Sequence, residues 1–280
     1  MAVRIAICQV LTDHDPKAST DKIVKWMARA ARAGAAVAVF PEVAVCGYPR
    51  EQGFFDRVGA RAFQAAQARI VRASKRLEIA AVVGTARRGE RGWHNSILVV
   101  DKGGVVRGHY DKIHPAEAWT TPGDHLPVYT VAGVPSCFLV CFDWRFPELV
   151  RLPAAAGAKV CYCCSFHNDP SHEHKASAYD ALPIARAAEN GIYFVSATPP
   201  ARADDLAAGS SGGSRIIDPD GNVLAAGSIF GDQLVVADID PDLATRRIAL
   251  RSLTDNNPTA AWLAEGMKMV ENDCINAEEV

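Results

Sequence analysis

The sequence lacks an excess of charge of either sign: 30 Lys and Arg face 32 Asp and Glu, a formal net charge of −2. That balance gives no reason to expect nucleic acid or an anionic membrane as the main partner. It also lacks any apolar run long enough to span a bilayer. The opening stretch, MAVRIAICQV, has no charged n-region, long apolar core or small-residue cleavage site of a secretory leader. The expectation is a soluble cytoplasmic protein. No low-complexity break interrupts the 280 residues, a length that fits one large domain or two small ones.

Eight cysteines are present, but no second Cys or His pair stands at zinc-finger spacing beside the group CYCCSF at 161–166. No metal is expected there. Without secretion, disulfides are not expected either, and most of these residues read as small buried hydrophobes. The loop SFHNDPSHEHKASAYD holds His167, His172 and His174. It lacks a fixed second ligand pair, so a polar pocket rim is the better reading than a metal site. No cofactor is implied.

What is present is an alternation of helical and strand patterns, carried twice. VRIAICQV is a first strand. STDKIVKWMARAARAGA follows as a helix, with Ser19 and Thr20 as N-cap candidates and Gly34 as its stop. AVAVF is a buried strand ending at Pro41–Glu42, RAFQAAQARIVRASKRLE a second helix and IAAVVGTA a third strand. NSILVVDKGGVVRGHY is a hairpin turning at Lys102–Gly103–Gly104. The second half repeats the plan: strand FLVCF, helix ELVRLPAAAGA, strand KVCYCCSF, helix SAYDALPIARAAENG, strand IYFVSAT, hairpin GSRIIDPDGNVLAAG and a last strand LVVADID. Two such α/β units, each a mixed sheet with helices on one face, would pack their open faces together. The fold expected is a four-layer αββα sandwich of two mixed β-sheets with an internal pseudo-twofold repeat. Residues 1–250 form this domain, and 251–280 read as a C-terminal arm.

Three polar residues stand at strand or hairpin ends: Glu42 after AVAVFP, Lys112 in GHYDKIHP and Cys141 ending FLVC. Such loops gather at one edge of a layered α/β fold and commonly form its active site. Taken singly, each has a plainer reading: a helix N-terminal carboxylate, a solvated hairpin lysine and a packing cysteine.

The stretches FPEVAVCGYP (40–49), YDKIHP (110–115), CFDWRFPE (141–148), ARAAENGIYFVSA (185–197) and GSRIIDPDGNVL (213–224) resemble, in this order, those of the nitrilase superfamily, the carbon–nitrogen hydrolases. The resemblance implies the αββα sandwich, a Glu–Lys–Cys triad at Glu42, Lys112 and Cys141, and dimers or larger homo-oligomers with the C-terminal arm at the interface. It also implies a second glutamate between the lysine and a Pro–Gly–Asp loop. Pro122–Gly123–Asp124 is present, and Glu117 is the only glutamate in between, in a segment shorter than in most amidase branches. Its implied task is to hold Lys112 charged and oriented. Tyr48, Phe142, Trp144, Phe166 and His167 are the residues expected around the substrate, Phe142 through its backbone N–H. Glu148 repeats the Phe–Pro–Glu context of Glu42 but is structural in the family. Arg145 reads as a structural ion-pair partner or as a carboxylate binder.

The residue types suit the chemistry. Splitting amide hydrolysis through a thioester eases two difficult steps. A nearby cation favours thiolate character at the cysteine. A glutamate can take the thiol proton, give it to departing ammonia and then activate water. Lysine and a backbone N–H can hold the oxyanion. The leading expectation is therefore an amidase acting on a small amide or an N-carbamoyl compound and releasing ammonia, with carbon dioxide in the carbamoyl case. Cys–Phe–Asp is closer to amidase-like branches than the Cys–Trp–Glu of nitrilases, so conversion of a nitrile to an acid is the alternative. A non-catalytic interaction protein on the same fold is a second class, disfavoured because all three triad residues are present. A papain-like hydrolase lacks its cysteine signature here. A glutaminase fused to a synthetase would need a longer chain, and no G-x-x-x-x-G-K-[ST] loop occurs.

Overall fold

The computed structural model describes residues 1–51, 53–167, 176–255 and 258–274. The first half runs β1 (Val3–Gln9), α1 (Pro16–Arg32), β2 (Val37–Val39), α2 (Phe54–Val58), α3 (Ala60–Leu77), β3 (Ala80–Arg88), β4 (Trp93–Val100) and β5 (Val106–Asp111). The second half runs β6 (Leu126–Val131), β7 (Val134–Val140), α4 (Glu148–Ala155), β8 (Val160–Cys164), α5 (Ala176–Ala188), β9 (Tyr193–Ala197), β10 (Arg215–Ile217), β11 (Val223–Ala226) and β12 (Gln233–Ile239). Helices α6 (Arg247–Thr254) and α7 (Ala260–Met267) and strand β13 (Val270–Asn272) follow.

Two mixed sheets result, a six-stranded one in the order β12-β1-β2-β3-β4-β5 and a seven-stranded one in the order β11-β10-β9-β8-β7-β6-β13. The pairing repeats across the halves. Strands β1, β2 and β3 are parallel neighbours and β4 and β5 continue antiparallel. Strands β7, β8 and β9 are parallel, and β10 and β11 continue antiparallel. Each repeat is flanked by one antiparallel strand, β12 beside β1 and β6 beside β7.

Alternation along the first sheet separates two cores. Ile5, Ile7, Val37, Val39, Val82 and Ile97 belong to the large core shared with the second sheet. Ala6, Cys8, Ala38, Ala81, Val83 and Leu98 belong to the core that holds Ile23, Met27 and Ile70 of α1 and α3. A period of two places successive side chains on opposite faces, so the sheet is sandwiched between its helices and the other sheet. Helices α4 and α5 pack on the second sheet in the same way. The layers are helix, sheet, sheet, helix.

Local detail differs from the sequence reading at several points. Asp15, not Ser19 or Thr20, caps α1: its carboxylate accepts the Lys17 N–H at 2.9 Å, and Pro16 takes the first helical position. Thr20 lies one turn inside and donates to the Pro16 carbonyl. The short helix α2 and the strand β6 were not anticipated. Strand β13 lies in the expected C-terminal arm and pairs parallel with β6. His172 and His174 lie outside the described residues.

Candidate active site

The parallel strands set the site. Strands β2 and β5 run in the same direction through the first sheet, and β7 and β8 share a direction in the second. The chain therefore leaves β2 toward Glu42, β5 toward Lys112, β7 toward Cys141 and β8 toward Phe166. Each of the four residues lies within three positions of its strand's end.

The turns that carry Glu42 and Cys141 are unusually tight. Val43 has φ +47° and Cys141 itself φ +43°, a left-handed conformation costly for residues with a Cβ, above all for β-branched valine. The chain tolerates it because neighbouring groups hold both turns. Over the first, Gly84 of β3 leaves no room for a side chain: a Cβ there would sit 2.6 Å from the Val43 nitrogen and 2.7 Å from the Glu42 Cα, and closer still to the Pro41 carbonyl. At the second, the buried Asp143 carboxylate accepts the Val140 N–H at 3.2 Å, the His114 N–H at 2.8 Å and the Tyr110 hydroxyl at 2.8 Å. Tyr110 and His114 bracket Lys112, so one carboxylate ties the cysteine turn to the lysine segment.

Lys112 is fully buried and its ammonium lies between two carboxylates. Its Nζ is 3.1 Å from Glu42 Oε1 and 2.6 Å from Glu117 Oε1. An ammonium has three protons, so one remains after these two bonds. Glu117 Oε1 also accepts the Tyr48 hydroxyl at 2.7 Å, and Tyr48 stacks on Phe166 with ring centroids 4.5 Å apart. The Phe166 carbonyl in turn accepts from the Cys141 thiol at 3.4 Å. Glu42, Lys112, Glu117, Tyr48, Phe166 and Cys141 are thus one connected cluster.

Burial and charge act on it in opposite senses. Burial and then the Glu117 charge raise the Glu42 carboxyl to about 7, against the pull of Lys112 and its hydrogen bonds. Burial also opposes ionisation of Glu117, but Lys112 and Tyr48 outweigh it and hold that carboxyl below its usual range. Lys112 loses charge stability to burial and regains more from Glu42, Cys141 and Glu117, so its ammonium is held above the ordinary lysine range. Burial and the Glu42 charge push the Cys141 thiol up, with Lys112 opposing. The resting site therefore combines a neutral thiol, a permanent ammonium and a glutamate poised to change protonation near neutrality.

The other expected substrate residues fall on different sides. Tyr48 and Phe166 line a cavity of about 740 Å³ whose rim includes Asp13, Arg50 and Arg202. Trp144 and His167 line a separate cavity of about 270 Å³ with Tyr179 and Arg215. His167 stacks on Tyr179 at 3.9 Å and its Nδ1 lies 2.6 Å from the Ser211 hydroxyl. Burial, with Arg215 and Arg145 nearby, lowers its ring to about 3, so it is neutral. Phe142 is 37% exposed, and the Arg145 guanidinium lies over its ring at 5.7 Å. Glu148 begins α4 and lines a groove beside α6 and α7. Among the described residues no cluster of three or more His, Cys, Asp or Glu is placed to hold a metal.

Several contributors were missed in the sequence. Asn95 donates from Nδ2 to Glu42 Oε1 at 2.7 Å. Gly123, in the Pro–Gly–Asp loop that the sequence did mark, packs its Cα face onto the Asp111 backbone, and its N–H donates to the Lys112 carbonyl at 2.8 Å. A signal existed for Gly84, since a glycine inside a strand marks close backbone approach. Asn95 offered only a polar residue at the head of an apolar strand.

A family model described as carbon–nitrogen hydrolase matches residues 4–248. A hydrolase of Mycobacterium tuberculosis is 31% identical over 278 residues, covering 90% of this chain and 96% of the other. The 2-oxoglutaramate amidase of Bacillus subtilis is 29% identical over 210 residues, 73% of this chain and 78% of its own. Among solved structures, a mutant of the amidase from Nesterenkonia sp. AN1 has its active-site cysteine covalently modified by the acetamide moiety of fluoroacetamide. It superposes with a TM-score of 0.80 at 27% identity, covering 94% of this chain and 95% of that one.

Proposed function

Because the chain belongs to the carbon–nitrogen hydrolase family, we propose that it cleaves a small amide or an N-carbamoyl compound through a thioester on Cys141, releasing ammonia. The observation that carries this is the buried ammonium of Lys112 held between Glu42 and Glu117, with Cys141 in the electrostatic reach of the first two. The Bacillus subtilis and Nesterenkonia relatives are amidases by name, which supports an amide substrate.

In the reaction, Glu42 takes the thiol proton as the Cys141 sulfur bonds to the carbonyl carbon. The remaining N–H of Lys112 and the backbone N–H of Phe142 receive the oxyanion, a role worth about 3 kcal/mol per donor. As the tetrahedral intermediate collapses, Glu42 returns its proton to the nitrogen, the C–N bond breaks and ammonia leaves. Water then enters, Glu42 takes one of its protons as the hydroxyl attacks the thioester, and on collapse that proton passes to the departing Cys141 sulfur, releasing the acid and restoring the thiol. Glu117 stays ionised throughout and keeps Lys112 charged and aimed.

The test is ammonia release by wild type and Cys141→Ala across short aliphatic amides, ω-amido acids, N-carbamoyl amines, N-carbamoyl amino acids and nitriles. Turnover of one amide or carbamoyl class, reduced at least about 10³-fold by the substitution, is expected. Turnover of nitriles alone would shift the reading to the activity named for a tobacco relative, a bifunctional nitrilase/nitrile hydratase 27% identical to this chain. Activity that survived the substitution would remove Cys141 as nucleophile.

We further propose a homodimer or larger assembly with residues of the 251–280 arm at the contact, in a cytoplasmic setting that suits eight unpaired cysteines. Trp262 of α7, 62% exposed, supports the first point.

A further inference from the structure

We propose that Asn95 is a positioning residue that turns the Glu42 carboxylate so that one chosen oxygen, Oε2, serves as the base; this rests on Glu42 acting as base and Cys141 as nucleophile. Asn95 lies on β4 directly across from Lys112. Its carbonyl accepts the Lys112 N–H at 2.9 Å, and residues opposite each other across antiparallel strands project to the same face. Both side chains therefore approach Glu42 together, and both end on the same atom. Asn95 Nδ2 donates to Glu42 Oε1 at 2.7 Å and Lys112 Nζ at 3.1 Å. Glu42 Oε2 is buried and has no hydrogen-bond partner among the described residues.

A buried carboxylate oxygen without a donor is costly. Of the two Glu42 oxygens it is the one left to accept a proton. Lys112 shares its ammonium between Glu42 and Glu117, at 3.1 and 2.6 Å, so its position answers to both carboxylates and not to Glu42 alone. A primary amide on a strand has less freedom, and Asn95 is anchored further: its own N–H donates to the Thr120 hydroxyl at 2.8 Å. The carboxylate is thus held at one oxygen by a donor that carries no charge and does not titrate. The groups that face Glu42 are Lys112 from the end of β5, Glu117 and Tyr48 from the surrounding loops, Cys141 from the turn after β7, and Cys163 and Cys164 from β8. Lys112 and Glu117 keep their charges through neutrality, and the tyrosine and the strand thiols stay neutral there. The local change near pH 7 therefore belongs to Glu42.

The test uses Asn95→Ala and the isosteric Asn95→Asp beside wild type. The readout is the acid limb of the pH dependence of kcat/KM for ammonia release, which reports the ionisation of the base in the free enzyme. The wild-type midpoint is expected near the Glu42 value of about 7. Losing one hydrogen bond to a charged acceptor should raise it by about one to two pH units in Asn95→Ala, and the added like charge should raise it at least as far in Asn95→Asp. At pH 7, kcat/KM should fall by about 5- to 50-fold, following the smaller ionised fraction, with KM nearly unchanged. Variants that melt as wild type does and keep its midpoint overturn the assignment. Loss of the cooperative melt in both variants also overturns it, since Asn95 would then serve the fold. Failure of the underlying reading looks different: ammonia release would survive Cys141→Ala unchanged.

Discussion

At Glu42 the site holds a carboxyl where the solvent-free interior disfavours its charge, and this has a stability consequence of definite sign. Folding raises its pKa to about 7, from about 4.3 in an unfolded chain. Between those values the folded protein binds a proton that the unfolded chain has released, so stability falls as pH rises through that window. Glu117, held low, loses its contribution only below the window, and Lys112, held high, only above it. Glu42→Gln removes the titration but keeps an acceptor for Lys112. The melting temperature of Glu42→Gln minus that of wild type should therefore climb from pH 5 to pH 8 and then level, while turnover is lost. A flat or falling difference would show that the charge of Glu42 is not disfavoured by folding. The triad was legible because each member sits in its own local motif, FPEVAVCGYP, YDKIHP or CFDWRFPE. Asn95 was not, because its importance lies in a cross-strand register and not in a local pattern.

Elements deliver these side chains only if their backbones approach closely enough, and Gly84 is where the first sheet does so. Its φ needs no special freedom, so alanine would not strain β3 itself. The difficulty is steric: the new methyl would overlap the Glu42 turn at Pro41 and Val43. Overpacking of this kind costs about 1–3 kcal/mol, and displacing a reacting group by about 1 Å can cost about 10²-fold in rate. Gly84→Ala is expected to lower the melting temperature modestly and kcat severely, read by calorimetry and steady-state ammonia release. Wild-type kcat in a folded Gly84→Ala protein would contradict the close approach. The strongly periodic elements were legible, α1, α3 and the two hairpins among them. Strand β6 was not: LPVYTV contains a proline, which weakens a strand pattern, and a tight turn at Ala132–Gly133 joins it to β7. Helix α2 spans only five residues between glycines, too short to show a helical period.

For the whole molecule, the repeated pairing order explains why the two halves place their functional residues at one site: equivalent strands end at equivalent edges, and the sheets face each other. The alternating pattern carried that much in the sequence, since parallel strands buried on both faces read as continuous apolar runs. Association between chains would leave no such pattern, and a surface that could serve it forms only once α4, α6 and α7 are assembled. There, Pro147 and Glu148, which follow directly from the Cys141–Arg145 turn, line a groove of about 820 Å³ with Ile248 and Trp262. Ile248 is 42% exposed and Trp262 62% exposed, large apolar surface of the kind that marks a contact. If a second copy covers this groove, its contacts support α4 and, through Pro147, the turn that sets the cysteine. The double substitution Ile248→Asp with Trp262→Ala should shift sedimentation from the assembled form to the monomer, and kcat should fall with the assembled fraction as protein concentration is lowered. An unchanged sedimentation coefficient would move the contact to another face. A monomer of full activity would keep the contact but separate it from the cysteine turn.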